Sequence, residues 1–261
     1  MMSVPIRCEI FQECEAATGA ENMAIDEVLL ERAISERLGH FRLYQWSAPT
    51  ITLGYFQDYQ PETIPEQMKS LDVVRRLTGG GAILHHHEVT YSCSLPSENR
   101  WQENPSDLYS EIHQIIQEAL SRQEFACEFR GVPKSFPAGE PFLCYSRGDE
   151  RDLVHGSHKI VGSAQRRRKG AILQHGSILV GRSQYAPQFP GIHELRSKGE
   201  NINVPELCED IVQAMFILFG NCLKTVQIPV SLGPRIEALV QDKYRYPGRR
   251  FEPSKDSRSN L

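Results

Sequence analysis

Between Phe142 and Val180 short apolar runs alternate with polar residues, and two turn signals, Gly156-Ser157 and Lys169-Gly170, divide them. Alternation broken by glycine turns predicts two successive antiparallel hairpins. A two-residue turn at Gly156-Ser157 sets His155 opposite His158 and Val154 opposite Lys159, which puts the lysine on a central strand beside the turn. Near the N-terminus Ile6, Cys8 and Ile10 alternate with Arg7, Glu9 and Phe11, a strand expected near a sheet edge. Phe41–Trp46 and Thr50–Phe56 are β-rich and are joined by a turn at Ser47-Ala48-Pro49. Asp72–Arg75 is a further β-rich run.

Helical patterns fill much of the rest. From Asn22 a run of strong helix formers is apolar on one side and charged on the other, with Asp26 and Glu27 in the early turns where acids suit the helix dipole. Leu108, Ile112, Ile115, Ile116 and Leu120 predict an amphipathic helix between Pro105 and Phe125. Two more helices are expected, Pro205–Cys222 with Ile211, Met215 and Phe219 inward, and Pro234–Asp242. Gly131 to Pro141 carries three prolines and two glycines and reads as a loop that delivers the chain to Cys144.

Length and composition narrow the class. The chain has 261 residues, 40% of them hydrophobic, without an apolar stretch long enough to span a bilayer or a cationic leader into an apolar segment. One domain over residues 1–246 with a polar tail over 247–261, in the cytoplasm, is expected. Seven cysteines, an odd number without a Cys-x-x-Cys spacing, argue against a disulfide framework or a zinc site and for a reducing compartment. The net charge of −4 says little about partners.

Two stretches carry candidate chemistry. Arg75-Arg76-Leu77-Thr78-Gly79-Gly80-Gly81 follows the β-rich run, and its three glycines expose backbone N–H groups to which an anion, a carbonyl oxygen or an acyl chain can come close. Lacking a Gly-Lys-Ser/Thr ending, it is no nucleotide P-loop. Cys144 and Lys159 belong to the hairpin unit, which can bring a thiol and an amine near one sheet face. Alone, a cysteine after Phe-Leu also reads as a small buried hydrophobe and a hairpin lysine as a solvated cation. His85, His86, His87 and Glu88 raise the question of a metal, but strand neighbours face opposite ways, so at most His85 and His87 share a side and a third ligand is missing.

Taken together, Arg-Arg-x-Thr-Gly-Gly-x-Ala-x-x-His, Lys-Ile-x-Gly-Ser-Ala-Gln-x-Arg and Leu-Gln-His-Gly-Ser-Ile resemble the biotin/lipoate protein ligase superfamily over about Gly19 to Val180. Cys144-Tyr145 with Lys159, and His85-x-x-Glu88-x-Thr90-Tyr91-Ser92, look like its cysteine-dependent octanoyltransferase branch. The resemblance implies an α+β fold with a mixed, mostly antiparallel sheet flanked by helices. It implies octanoyl transfer from acyl carrier protein to a lysine of a lipoyl domain or glycine-cleavage H protein, through a thioester on Cys144 with Lys159 as the neighbouring cation and proton carrier. Arg76, Gly79, Gly80, Gly81, His85, Gly162, Ser163, Ala164 and Asp26 are the implied substrate-binding positions. Tyr44, Trp46, Tyr55 and Phe56 read as core residues, some of which wall an acyl tunnel. No cofactor, metal, nucleic acid or membrane is expected. Arg166, Arg167, Arg168 and Lys169 form a basic cluster at a hairpin tip suited to an acidic carrier. The alternatives are an ATP-dependent lipoate-protein ligase and a non-catalytic lipoyl-domain or acyl-carrier binding protein. Against the ligase, His-His-His-Glu-Val-Thr-Tyr-Ser stands where such ligases usually show His-Asp-x-Gly-Asn.

Overall fold

The alternating segments build two sheets, and helices cover their faces. The structure is a computed structural model and describes residues 6–12, 15–97, 100–132, 142–146, 148–196, 201–225 and 227–248. The strands are β1 (Arg7–Gln12), β2 (Gly39–Tyr44), β3 (Thr50–Leu53), β4 (Asp72–Arg75), β5 (Ile83–His85), β6 (Glu88–Leu95), β7 (Glu128–Phe129), β8 (Leu153–His155), β9 (His158–Arg168), β10 (Ala171–Leu179) and β11 (Asn221–Thr225). The helices are α1 (Gly19–Ser35), α2 (Pro105–Arg122), α3 (Ile192–Leu195), α4 (Val204–Phe219) and α5 (Gly233–Leu239). Eight strands run in the order β11-β1-β2-β6-β10-β9-β8-β7 and three in the order β4-β3-β5. β1 is parallel to both β11 and β2, and β3 to β4; the remaining pairs are antiparallel. The fold is therefore α+β and mostly antiparallel, as expected, but with two sheets.

The two faces of the large sheet are used differently. Tyr91, Cys93, Leu95, Ile172 and Ile178 point to one side and pack on Leu108, Ile112 and Ile116 of α2 and Leu207, Ile211 and Met215 of α4, the main core. On the other side lie α1 and the three-stranded sheet, and between these layers the residues are largely polar: Thr90, Ser92, His175 and Ser177. Strand alternation creates this division. α1 starts at a capping box in which the Thr18 hydroxyl accepts from the Glu21 N–H and the Glu21 carboxylate accepts from the Thr18 N–H.

Three expectations need correction. Asp26 and Glu27 do not belong to a solvated side of α1: both are buried, because this part of the helix is enclosed by the sheets and the C-terminal segment. Glu27 is compensated by Lys243, Arg168 and the Tyr244 hydroxyl, at 2.5, 3.2 and 2.7 Å. Helix α4 stops at Phe219, short of Cys222, and the chain turns back as β11 to cover the free edge of β1, so β1 lies second from the sheet edge. The segments around Ser47-Ala48-Pro49 part company, β2 entering the large sheet and β3 the small one. Most of the Gly131–Pro141 loop and of the tail from 247 lies outside the described residues.

Candidate functional site

Cys144 is placed by the edge of the glycine loop. The Ala82 N–H donates to the Phe142 carbonyl at 3.0 Å and the Cys144 N–H to the Ala82 carbonyl at 2.7 Å, a parallel bridge from which Cys144 opens a single 3₁₀ turn. Beneath it Gly80 adopts φ +94°, and a Cβ there would lie 3.7 Å from Cys144 Sγ and 3.0 Å from Arg76 Nη2. Arg76 is buried and holds the loop from inside, its Nη2 donating to the Gly79 and Gly81 carbonyls at 2.6 and 2.8 Å and its Nη1 to the Thr52 carbonyl at 3.0 Å. With those carbonyls turned inward, the N–H groups of Gly79, Gly80 and Gly81 donate no backbone hydrogen bond among the described residues, and Gly80 is exposed. Open amides beside a thiol suit a developing oxyanion.

Lys159 reaches the same place by a different device. β8 and β9 keep the register set by the turn, Val154 opposite Lys159 and His155 opposite His158. Leu153 then pairs with Val161, so Ile160 is an extra residue on β9. A one-residue bulge reverses the alternation beyond it. Lys159 and Gly162, three apart, thereby face the same way, and a Cβ on Gly162 would meet Lys159 Cε at 2.2 Å and Nζ at 2.5 Å. The lysine amine lies along the bare glycine and pairs with the buried Asp152, Nζ to Oδ1 2.9 Å.

Cys144, Tyr145, Lys159, Gly162, Ser163 and Ala164 line one narrow cavity with Arg76, Ile83 and Ser177. A second narrow cavity shares Arg76, Ile83 and Ser177 and is closed by Met23, Tyr44, Trp46, His85 and His175. Ser163 contributes its backbone, since its hydroxyl turns to the opposite face and meets His113 Nε2 at 2.6 Å and the Tyr91 hydroxyl. His85 is a wall residue with both ring nitrogens engaged, by Glu88 at 2.5 Å and Thr52 at 2.8 Å, and its ring stacked 3.9 Å from that of Trp46.

Asp26 lines neither cavity. It lies behind the second one, accepting from Ser92, Tyr44 and Arg42 at 2.7, 3.0 and 3.2 Å. Burial alone would raise its carboxyl, but the His175 imidazole, the Arg42 guanidinium and the Ser92 hydroxyl outweigh it and hold the group below the usual carboxylate range. His175 Nε2 is 2.5 Å from the Thr78 hydroxyl, so α1 is tied through β10 to the glycine loop. Burial pushes this imidazole down, against the Asp26 carboxylate that favours its proton.

The aromatic and basic residues divide. Tyr44 and Trp46 wall the inner cavity; Tyr55 carries the Arg166 guanidinium 3.9 Å over its ring, and Phe56, expected in the core, is 74% exposed. His86 and His87 form the bend after β5, where strand alternation no longer applies, and their rings stack 3.6 Å apart, away from His85. Asp152, Glu88, His175 and Ser177 were not singled out as site residues by sequence. Glu88, His175 and Ser177 lie within the motifs that carried the resemblance, whereas for Asp152, just before β8, the sequence offers no distinguishing pattern.

Residues 18–205 match the family model of the lipoyl protein ligase A/B catalytic domain. An octanoyltransferase LipM of Moorella thermoacetica is 38% identical over 167 residues, 61% of this chain; the chain spans 60% of that relative's length. A LipM of Bacillus anthracis is 35% identical, with 86% of this chain and 91% of the relative covered. Among solved structures, the bi-partite lipoate protein ligase of Thermoplasma acidophilum, described with its E2 lipoyl domain, is similar over 95% of this chain and 98% of its own at 16% identity and a TM-score of 0.68, a likeness of fold.

Proposed function

Because this chain belongs to the lipoyl protein ligase A/B catalytic-domain family, we propose that it is an octanoyltransferase that works through a cysteine thioester. The Cys144 thiolate attacks the carbonyl carbon of an octanoyl thioester on acyl carrier protein; the carrier's sulfur leaves as a thiolate and takes the proton held by Lys159, and octanoyl-Cys144 remains beside a neutral lysine. The ε-amine of a lysine on a lipoyl domain or glycine-cleavage H protein then attacks this thioester. An amide forms, the Cys144 sulfur leaves, and the amine's proton passes to the Cys144–Lys159 pair.

The observation that carries this reading is the meeting of Cys144 and Lys159 on one cavity that abuts a second, aromatic-walled one, with Gly80 of the glycine loop beside the Cys144 sulfur. The amides of Gly79 to Gly81 are assigned to the tetrahedral oxyanion. The octanoyl chain is assigned to the inner cavity between Met23, Tyr44 and Trp46, where burial contributes about 0.8 kcal/mol per methylene. A relay through one cysteine lets two bulky carriers use the site in turn.

Intact-mass analysis after mixing the protein with octanoyl-acyl carrier protein, without ATP, tests this. Wild type is expected to gain one octanoyl mass that hydroxylamine removes, and Cys144→Ala none. A ligase that makes an acyl-adenylate, or a non-catalytic binder, gains no such adduct, and an adduct on the alanine variant would exclude Cys144 as nucleophile.

A further inference from the structure

We infer that Asp152 is a positioning residue that holds the Lys159 amine in the Cys144 cavity. This rests on the reading of Cys144 and Lys159 as the working pair. Lys159 is enclosed, its side chain 9% exposed, and Asp152 is more so at 1%. Removing an ammonium from water is costly unless an opposite charge meets it, and Asp152 Oδ1 does so at 2.9 Å. The carboxylate is itself held. Its Oδ2 accepts the Asp149 N–H at 2.8 Å, and Arg130 Nε approaches Oδ2 to 3.5 Å. The backbone is pinned as well: the Asp152 N–H donates to the Asp149 carbonyl at 3.1 Å, and the Asp152 carbonyl accepts the Arg130 N–H at 2.8 Å.

Direction follows from the strand. Val154 is opposite Lys159, so Asp152, two residues earlier, is on the lysine's side of the sheet. The extra residue at Ile160 and the missing side chain at Gly162 open the channel along which the amine lies. A lysine with four rotatable bonds has many conformations, and an oriented carboxylate at its far end selects one of them. Without that counter-charge nothing holds the amine at this end of the channel, and a positive charge leaves the cavity that Cys144 lines.

The test is a double-mutant cycle read on Cys144 itself. Asp152→Asn keeps an oxygen for the Asp149 amide and removes the charge. The rate of Cys144 alkylation by iodoacetamide at pH 7.5 is measured by intact mass in wild type, Asp152→Asn, Lys159→Met and the double variant, with octanoyl transfer followed beside it. Alkylation in Lys159→Met is expected to fall about tenfold, in Asp152→Asn nearly as far, and in the double variant no further than in Lys159→Met. A third arm leaves the carboxylate untouched: Gly162→Ala places a methyl on the path of the amine and is expected to slow alkylation too. Alkylation of Asp152→Asn at or above the wild-type rate, or losses that multiply in the double variant, overturns the inference. Should Asp152→Asn not fold, unchanged alkylation in Gly162→Ala overturns it instead. Alkylation needs no acyl donor, so a protein that gains no octanoyl adduct yet keeps the coupled alkylation refutes the octanoyl reading and leaves the Asp152–Lys159 coupling standing.

Discussion

At the scale of single residues, the reactive end of the cavity depends on side chains that are missing as much as on those present. Gly80 combines a left-handed backbone with contact to both Arg76 and Cys144. In Gly80→Ala the strained φ costs on the order of 1 kcal/mol. The new methyl also lies 3.0 Å from the Arg76 guanidinium, which must give by a few tenths of an ångström while it holds the Gly79 and Gly81 carbonyls. A small loss of stability with a much larger loss of acyl-enzyme formation is therefore expected, read as the urea midpoint against the single-turnover rate of adduct formation. Equal rates in the two proteins would show that the loop amides do not act on the acyl carbonyl.

At the scale of elements, the β9–β10 hairpin sorts its basic tip by strand alternation. Arg166 donates to the Leu77 carbonyl at 2.8 Å and Arg168 pairs with Glu27 at 3.2 Å, while Arg167 and Lys169 are exposed. The cluster that sequence presents as one patch is thus two pairs with different work. Reversing Arg166 and Arg168 attacks the fold, because Glu27 would be left beside a like charge. Reversing Arg167 and Lys169 to Glu is the clean probe of an acidic carrier docking here. Acyl loading is expected to slow severalfold at low salt and to converge on wild type at high ionic strength, where such fields are screened. Loading unchanged at low salt would place the carrier elsewhere.

For the whole molecule, two of the buried histidines, His40 and His113, make stability depend on acidity. Burial is the first cause in both, with Arg32 adding to it at His40 and Lys159 at His113, and both imidazoles are pushed down to about 3. An unfolded histidine takes up its proton near pH 6.5, well before either folded one does. Stability is therefore whole above that value and is lost as pH falls toward 3, by about 2 kcal/mol per histidine at pH 5. Neither ring nitrogen of His40 has a hydrogen-bond partner among the described residues, and the ring stacks near Phe11. His40→Phe should accordingly fold and lose about 2 kcal/mol less than wild type between pH 7 and pH 5, as urea titrations at the two values would reveal. An identical acid loss in both proteins would mean that His40 is accessible to protons in the folded state.

Sequence by itself determined what short-range geometry controls. A two-residue turn at Gly156-Ser157 has one pairing, so Val154 opposite Lys159 was legible before any coordinates, as were the apolar stripes of α2 and α4. The motifs around the glycine loop and the hairpins carried the resemblance from which the candidate residues came, and of these Arg76, Cys144, Lys159, Gly162, Ser163 and Ala164 line one cavity. Tertiary structure decided what those residues face. The bulge at Ile160, which puts Lys159 on the bare side of Gly162, depends on how β8 is held against β9, and alternation is blind to one inserted residue. The bridge from Ala82 to Leu143 joins segments sixty residues apart in round terms, about the separation at which no periodicity links one part of a chain to another. Asp152 had no pattern to mark it, since its meaning lies in an ion pair across the hairpin. The strand β11 was hidden for a like reason: its first residues, Asn221 and Cys222, extend a helical pattern, and only the open edge of β1 gives the strand a partner.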